Sequence, residues 1–435
     1  MDLVYKNIEK ILGGINSLPE IIKNKHNDYL YIAYLIFFIL MLFSNDISLG
    51  ANYFLFILAP LFIIPIRLKY FDRSKDQRSF LLSFDFFNTL QTLILTRSSI
   101  FVGVIIFIVM ISLSSWLQPQ MTAPWGWRLV QYGGLIALFL LITARLVFNS
   151  PGAIGRFFKI FCPIVALQCA LNLVLYFYNL KELSSSLVER FGPSFGHIPD
   201  HYPTTGSLIY GLFLVSAVIV SFETSNLLTR LSLGVSICIF SVALIFSQSR
   251  GSVVAVILTM LIWSFFSSKR IKKIVASLSI LSVGLFLSIP KIGDYALSRL
   301  DRFRFWVWER FCSLAQERPL LGYGERIEFW IYLPNGEHVG HAHNLLLSAI
   351  VRGGVFAGLA LAYALIRSLY VNFSFMRQDG SALPFCLILL ILISGLVDYD
   401  LLVFQADWQW CAFWMPIGIS MGVEALMTEK RGTLH

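Results

Sequence analysis

PKIGDYALSRLDRFRFWVWERFCSLAQERPLLGYGERIEFWIYLPNGEHVGHAHN, residues 290–344, is the stretch around which this chain is organised. It is the one long segment that is neither continuously apolar nor a short connection between apolar runs. Arginine and aromatic residues are frequent in its middle, and His338, His341 and His343 lie close to its end. A long apolar run begins directly after it, so the stretch is a polar loop set between apolar segments.

The rest of the chain has the composition of a membrane protein. Of its 435 residues, 57% are hydrophobic and only 14% are charged, whereas about a quarter of the residues of a soluble domain are charged. Apolar runs long enough to cross a bilayer recur along the chain. Because these runs are continuous and do not alternate with period two, they predict helices rather than a barrel. We therefore expect an all-α polytopic membrane protein.

Roughly twelve spans are predicted from run length. They cover residues 29–45, 51–67, 99–117, 127–148, 155–178, 204–222, 229–247, 251–267, 271–289, 344–370, 382–397 and 404–426. Polar residues interrupt the further apolar segment 79–96, which we interpret as an interfacial or re-entrant helix. The chain then divides into an N-terminal bundle (1–289), a large loop (290–343) and C-terminal helices (344–435).

The distribution of lysine and arginine predicts the orientation of the spans. These residues concentrate in alternate connections, and the short connections between them hold almost none. By the positive-inside rule both termini lie in the cytoplasm, and the loop 290–343 lies on the outer face. The same rule places Arg190, Arg250 and Asp398 on that face. In a bacterium this is a multi-pass protein of the inner membrane with its polar loop in the periplasm.

Three arginines on the predicted outer face are candidates for binding phosphate. Arg250 lies between two spans, and its small neighbours leave room for a ligand. Arg304 and Trp308 are four residues apart and share one face of an amphipathic helix predicted over 296–316. Arg190 lies in the outer loop after the fifth span. The planar guanidinium group suits phosphate oxygens, although arginines that only contact lipid headgroups have the same pattern.

His343 is the candidate base of the sequence. Asn344 follows it and can cap the next apolar helix, which would fix the imidazole at the membrane boundary. A histidine there can take a proton from a sugar hydroxyl at neutral pH. Asp398 could orient an imidazole, or it could pair with an arginine of a loop. His341 is a further supporting candidate.

Other classes of function fit the sequence less well. The histidines suggest a metal at first sight, but no cysteine lies near them and acidic residues are sparse, so no metal or cofactor is expected. The predicted outer-face location of the basic loop argues against nucleic acid as a partner. A transporter would need ionisable residues near the middle of the membrane, whereas the acidic residues here lie mostly at the ends of spans.

Taken in order, the motifs of this chain resemble the O-antigen ligase and O-antigen polymerase superfamily. The resemblance is carried by Ser249-Arg-Gly251, by Arg304-Phe-Trp-Val-Trp308 followed by Arg318-Pro-Leu-Leu-Gly-Tyr-Gly324, and by His343-Asn344 ahead of Val351-Arg-Gly-Gly354. It covers about residues 245–360. It implies a membrane-embedded, GT-C-like glycosyltransferase that needs no metal and moves a glycan from undecaprenyl diphosphate to a hydroxyl with inversion.

The resemblance also implies which residues act and which acceptor they serve. The functional positions of the family fall on Arg250, Arg304 and His343, and Arg190 joins them at the diphosphate. Lipid A–core oligosaccharide is the acceptor in the ligase branch, and another lipid-linked repeat is the acceptor in the polymerase branch. Related members glycosylate proteins. The net charge of +9 favours an acceptor rich in phosphate, so the chain is most similar to a lipid A–core:O-antigen ligase.

Overall fold

The computed structural model describes most of the apolar chain and most of the large loop. The described residues are 30–40, 52–59, 66–73, 77–84, 98–118, 123–179, 191, 203–269, 272, 302–325, 329, 331–333, 338–378, 380–398, 403 and 410–432. Arg190 and nearly all of the predicted span 271–289 lie outside them. So does the side chain of Asp398.

Helices dominate the described residues. In chain order the elements are α1 (Leu30–Leu40), a π-helical turn (Phe54–Leu58), β1 (Ile66–Arg73), β2 (Gln77–Phe84), α2 (Ser99–Trp116), α3 (Ala123–Asn149), α4 (Ala153–Asn179), α5 (Pro203–Glu223), α6 (Leu227–Ser247), α7 (Arg250–Phe266), α8 (Arg302–Glu317), β3 (Ile331–Tyr332), β4 (His338–Val339), α9 (Leu345–Arg377), α10 (Leu383–Asp398), a second π-helical turn (Trp410–Trp414) and α11 (Met415–Gly432).

The long helices agree with the predicted spans. Seven helical segments in the described residues are long and apolar enough to cross a membrane, namely α2 to α6, α9, and the second π-helical turn with α11. The shorter apolar helices α1, α7 and α10 also coincide with predicted spans. The all-α polytopic class is therefore confirmed, whereas a count of twelve spans is not.

An antiparallel hairpin replaces part of two predicted elements. Strands β1 and β2 pair with Ile66 opposite Phe84 and Arg73 opposite Gln77. The interpretation of 79–96 as a helix is therefore wrong over 79–84, and the predicted span 51–67 cannot extend past residue 65. Basic and apolar residues alternate from Ile66 to Tyr70, and this period of two favours a strand. The remaining segment 85–96 is shorter than the roughly 17 residues that a spanning helix needs.

The bundle is held together by pairs of long helices and by aromatic packing. Helix α2 packs along α9, α3 along α11, and α5 along α6. Trp410 is buried among Phe37, Phe54 and Phe139, with ring centres 4.9 to 6.1 Å from its own. Many large apolar side chains on α4 and α6 are exposed instead, as lipid-facing residues must be.

The contacts of α7, α9 and α10 define two distinct ends of the bundle. Near its last turn, α7 brings Phe266 within 6.5 Å of Phe385 at the start of α10, measured between ring centres. The two helices are thus antiparallel, and Arg250 lies at the same end of the bundle as Leu396. Asn344 also reaches that end, because its Nδ2 donates to Leu396 O at 3.2 Å. We call this the site end, and we call the other the opposite end.

Candidate functional site

The chain enters α9 through a strained turn at His343. Its φ of +49° lies in the left-handed region, which side chains other than glycine rarely adopt. Asn344 then caps α9 as predicted, since its Oδ1 accepts the Leu347 N–H at 3.0 Å. The bond from Asn344 to Leu396 ties the same turn to α10. His343 is therefore fixed at the junction of two helices.

Helix α8, which belongs to the large loop, also holds the His343 turn in place. Trp308 Nε1 donates to the backbone oxygen of Ala342 at 2.9 Å, and Ala342 is fully buried. The rings of His341 and His343 flank Ala342 in sequence and lie 3.9 Å apart between centres. The His343 N–H lies 3.4 Å from His341 Nδ1. Both imidazoles are half-buried, so they form a pair with access to solvent.

Helix α8 is amphipathic, as the sequence predicts. Its Val307 and Phe311 are buried in a small cluster that also contains Ala342 and Val351. Arg304 is half-buried and lies one turn before Trp308. Residues four apart share a helix face, so Arg304 lies on the same face of α8 as Trp308. The indole of Trp308 fixes the His343 turn.

The Pro319–Gly324 turn docks onto a break in α9. At Gly354 the φ of +80° interrupts the helix, which frees backbone groups on both sides of the break. Val355 N donates to Pro319 O at 2.7 Å, and Tyr323 N donates to Val351 O at 2.8 Å. Gly324 N likewise donates to Arg352 O at 2.8 Å. This set of backbone bonds, here called the glycine junction, fixes the large loop to α9.

The end of α2 closes the glycine junction, which the sequence does not reveal. Ser114 Oγ donates to Arg352 O at 2.7 Å, and Ser115 Oγ accepts the Glu325 N–H at 2.9 Å. Arg352 donates to Glu325 O, and its guanidinium lies 5.8 Å from the centre of the Phe329 ring. The sequence signal for this contact is a pair of short polar residues, Ser114 and Ser115, at the end of an apolar run. Many apolar runs end in such residues, so the signal does not identify the contact.

A tyrosine of the glycine junction is held as a hydrogen-bond donor. Burial, together with the carboxylate of Glu317, raises the pKa of Tyr323 above its ordinary value. Its hydroxyl is therefore protonated at neutral pH and donates to Glu317 Oε2 at 2.5 Å. The ring of Tyr323 also lies 4.7 Å from the Arg318 guanidinium. The turn is thereby fixed to the end of α8 by side chains as well as by its backbone.

Arg250 begins α7 in a tight connection lined by serines. Gln248 closes α6 in the left-handed region, and Ser249 Oγ donates to Ser252 Oγ at 3.2 Å. Ser252 in turn lies 2.8 Å from Ser207 Oγ of α5. Arg250 itself is half-buried. The small serines let α5, α6 and α7 meet closely behind this arginine.

The residue next to Arg190 is anchored beside the same connection. Phe191 N donates to Phe246 O at 3.0 Å, close to the end of α6. Its ring is buried and lies 5.3 Å from that of Tyr176 and 6.1 Å from that of Tyr210. Phe191 is a positioning residue that the sequence analysis did not identify. Its backbone bond to Phe246 places it close to the turn that carries Arg250.

The structure brings most of the predicted site residues to one end of the bundle. His341, His343, Asn344 and Trp308 form one connected cluster, and Arg304 lies one turn away on α8. Arg250 lies at the same end through the pairing of α7 with α10. In the described part of the chain no group of three histidine, cysteine or acidic side chains is arranged to hold a metal.

Comparison with known proteins relates one segment of the chain to a known family. Neither the curated proteins nor the solved structures gave a match to the chain. A family model described as O-antigen ligase matches residues 235–362. The matched segment begins in α6 and ends in α9, so it contains the Arg250 connection, α8, the glycine junction and His343. Residues 235–362 are therefore similar to the O-antigen ligase family, whose members are GT-C-like membrane proteins.

Proposed function

We propose that this protein is an O-antigen ligase. It transfers a glycan from undecaprenyl diphosphate to a hydroxyl of lipid A–core oligosaccharide, on the periplasmic face of the bacterial inner membrane. The observation that carries the proposal is the fixed pair of imidazoles at the start of α9, next to the helix that bears Arg304. A base and a phosphate-binding group are the two functions that this reaction requires.

The arginines serve the donor in this proposal. As the bond between the anomeric carbon and the diphosphate oxygen breaks, its electron pair moves to the diphosphate. Arg250 and Arg304, joined by Arg190, stabilise the charge that develops there, which makes a divalent metal unnecessary. The serine-lined connection supports this role for Arg250, because small neighbours let a phosphate approach the guanidinium.

His343 serves the acceptor. Its imidazole takes the proton of the attacking hydroxyl as the new bond to the anomeric carbon forms. The ring of His341, 3.9 Å away between centres, limits the orientations open to His343. Attack from the face opposite the diphosphate gives inversion in a single displacement. Asp398, the last residue of α10, is the candidate from the sequence for a carboxylate that orients this imidazole.

Substitution of His343 tests the mechanism. The purified His343→Ala variant is expected to lose about 10² to 10⁴ of its transfer rate, because general base catalysis contributes that much. Its affinity for undecaprenyl-diphosphate-linked glycan should stay close to that of the unchanged protein. Transfer is measured with purified donor and lipid A–core in proteoliposomes.

His338→Ala is the matched control for this experiment. His338 belongs to the same loop but is exposed in the short strand β4, so its substitution should leave the rate within about twofold, in keeping with a surface change. A His343→Ala enzyme with near-normal turnover would contradict the assignment of the base.

Depletion of the protein in its host separates a ligase from a polymerase. For a ligase, all long-chain lipopolysaccharide disappears from a gel while polymer linked to undecaprenyl diphosphate accumulates. Core carrying a single repeat would instead identify a polymerase. The ligase is favoured because the basic balance of the chain suits the phosphates of lipid A–core.

A further inference from the structure

A cavity of about 180 Å³ opens at the opposite end of the bundle. It lies where the start of α4 meets the last turns of α5 and α9 and the connection into α10. Helix α5 extends from Ser207, beside the Arg250 connection, to Glu223 in the cavity wall. At 1.5 Å per residue this separates the cavity from the site end by roughly 25 Å. It cannot be part of the transfer site.

The charged side chains of the cavity leave it positive. Lys159 and Arg156 of α4 line it together with Glu223. The carboxylate of Glu223 attracts Lys159 and offsets one of the two positive charges; it also accepts from Ser381 Oγ at 2.8 and 2.9 Å and from Ala382 N at 3.2 Å. Arg156 donates to the neutral Ser150 Oγ at 2.8 Å. Within the described residues, no carboxylate forms an ion pair with Arg156 or Lys159.

The cavity is open next to these cations and apolar on its other side. Gly152 and Gly155 line it, and a Cβ added at either would meet no atom within 4 Å. Val220, Phe375 and Leu426 form an apolar wall. A positive rim beside an apolar wall fits a ligand that is itself anionic at one end and apolar at the other.

We propose that this cavity binds the phosphate of an anionic phospholipid from the leaflet at the opposite end of the bundle. Arg156 and Lys159 contact the phosphate through charge-assisted hydrogen bonds, and the apolar wall covers the glycerol and the first acyl carbons. Basic pockets between helices are known to bind such headgroups. A free phosphate would use the rim and leave the wall uncovered. A lipid with a choline headgroup would bring a third cation toward Arg156 and Lys159.

Lipid retention by the full-length protein tests the proposal. The protein is purified in detergent, and phosphatidylglycerol or phosphatidylcholine is added at equal concentration. Native mass spectrometry then counts the lipids that stay bound. We expect preferential retention of phosphatidylglycerol, and about a tenfold loss in affinity in the Arg156→Gln/Lys159→Gln variant, the size expected when charge-assisted bonds to phosphate are removed. Gly155→Leu fills the cavity without changing the charge and should give a similar loss.

A charge-matched variant controls for general electrostatics. Lys272→Gln/Arg377→Gln removes two exposed positive charges outside the cavity lining and should keep phosphatidylglycerol affinity within about twofold. Thermal unfolding of each variant shows that it is folded. Equal retention of both lipids, or unchanged retention in both cavity variants, would overturn the proposal. So would inorganic phosphate that stabilises the protein through Arg156 and Lys159 while phosphatidylglycerol shows no preference, because the ligand would then be a free anion.

Discussion

His343, the proposed base, has an uncommon backbone conformation. A left-handed φ costs a residue with a side chain roughly 1 to 2 kcal/mol, and such strain persists only where the surroundings fix it. Here the surroundings are the cap by Asn344, the bond of that residue to Leu396, and the bond from Trp308 to Ala342. The strain turns the chain sharply into α9 and fixes the imidazole next to His341.

Gly354 is the residue on which the glycine junction depends. A Cβ at this position would lie 1.9 Å from Leu320 O, and its φ of +80° disfavours any side chain. We expect Gly354→Ala to separate the Pro319–Gly324 turn from α9 and to cost about 1 to 3 kcal/mol of stability. Thermal unfolding in detergent measures the loss, and faster proteolysis within 302–325 shows where it occurs.

Gly134→Ala provides the comparison for that experiment. Gly134 lies within α3, and a Cβ there meets no atom within 4 Å. Its replacement by alanine should leave stability unchanged or raise it by up to about 1 kcal/mol, because alanine favours the helix. Equal effects of the two substitutions would show that the junction does not hold the loop.

At the scale of elements, an ion pair with one buried partner, Glu424, joins three helices at the opposite end. Arg367 of α9 lies 2.8 Å from Glu424 Oε1 of α11, and Ser99 at the start of α2 donates to the same carboxylate oxygen at 2.9 Å. The side chain of Glu424 is 5% exposed. Because a buried charge without its partner is costly, this contact fixes the register of α2, α9 and α11.

Removal of one charge from this pair should destabilise the bundle more than removal of both. Arg367→Met is expected to cost about 3 kcal/mol, since it leaves the buried Glu424 carboxylate without its guanidinium. Arg367→Met combined with Glu424→Gln should recover part of that loss. A double-mutant cycle of thermal unfolding in detergent measures the coupling. Strictly additive losses would mean that the pair contributes nothing to the packing of these helices.

At the scale of the whole molecule, the spans were predictable because a helix that crosses a bilayer must be apolar over its whole length. A run of apolar residues of sufficient length is visible in a single sequence, and the described helices agree with it. The β1–β2 hairpin was missed because alternation is confined to Ile66–Tyr70, and the apolar residues on either side of the turn favoured membrane segments instead. Hairpin pairing also depends on a turn whose geometry is not apparent from composition.

The site was predictable in its parts but not in its assembly. His343, Arg304 and Arg250 are residue types that move protons or bind phosphate, and their positions between predicted spans make them candidates, while Asn344 was predicted as the cap that the structure shows. The docking of Pro319 and Tyr323 on the α9 break depends on a backbone angle at Gly354. The cavity that contains Arg156 and Lys159 is lined by residues of several helices. No local sequence pattern connects these residues.

The glycine junction attaches the large loop to α9 mainly through main-chain atoms. This attachment therefore depends little on which side chains the loop exposes. Its donors and acceptors are main-chain atoms of residues 319–324 and 351–355, while Leu320 and Tyr332 of the loop are largely exposed. A loop with different exposed residues could therefore attach to α9 through the same joint, provided that Gly322, Gly324 and Gly354 are kept. The exposed surface of the loop can therefore diversify while the scaffold that holds His343 stays the same.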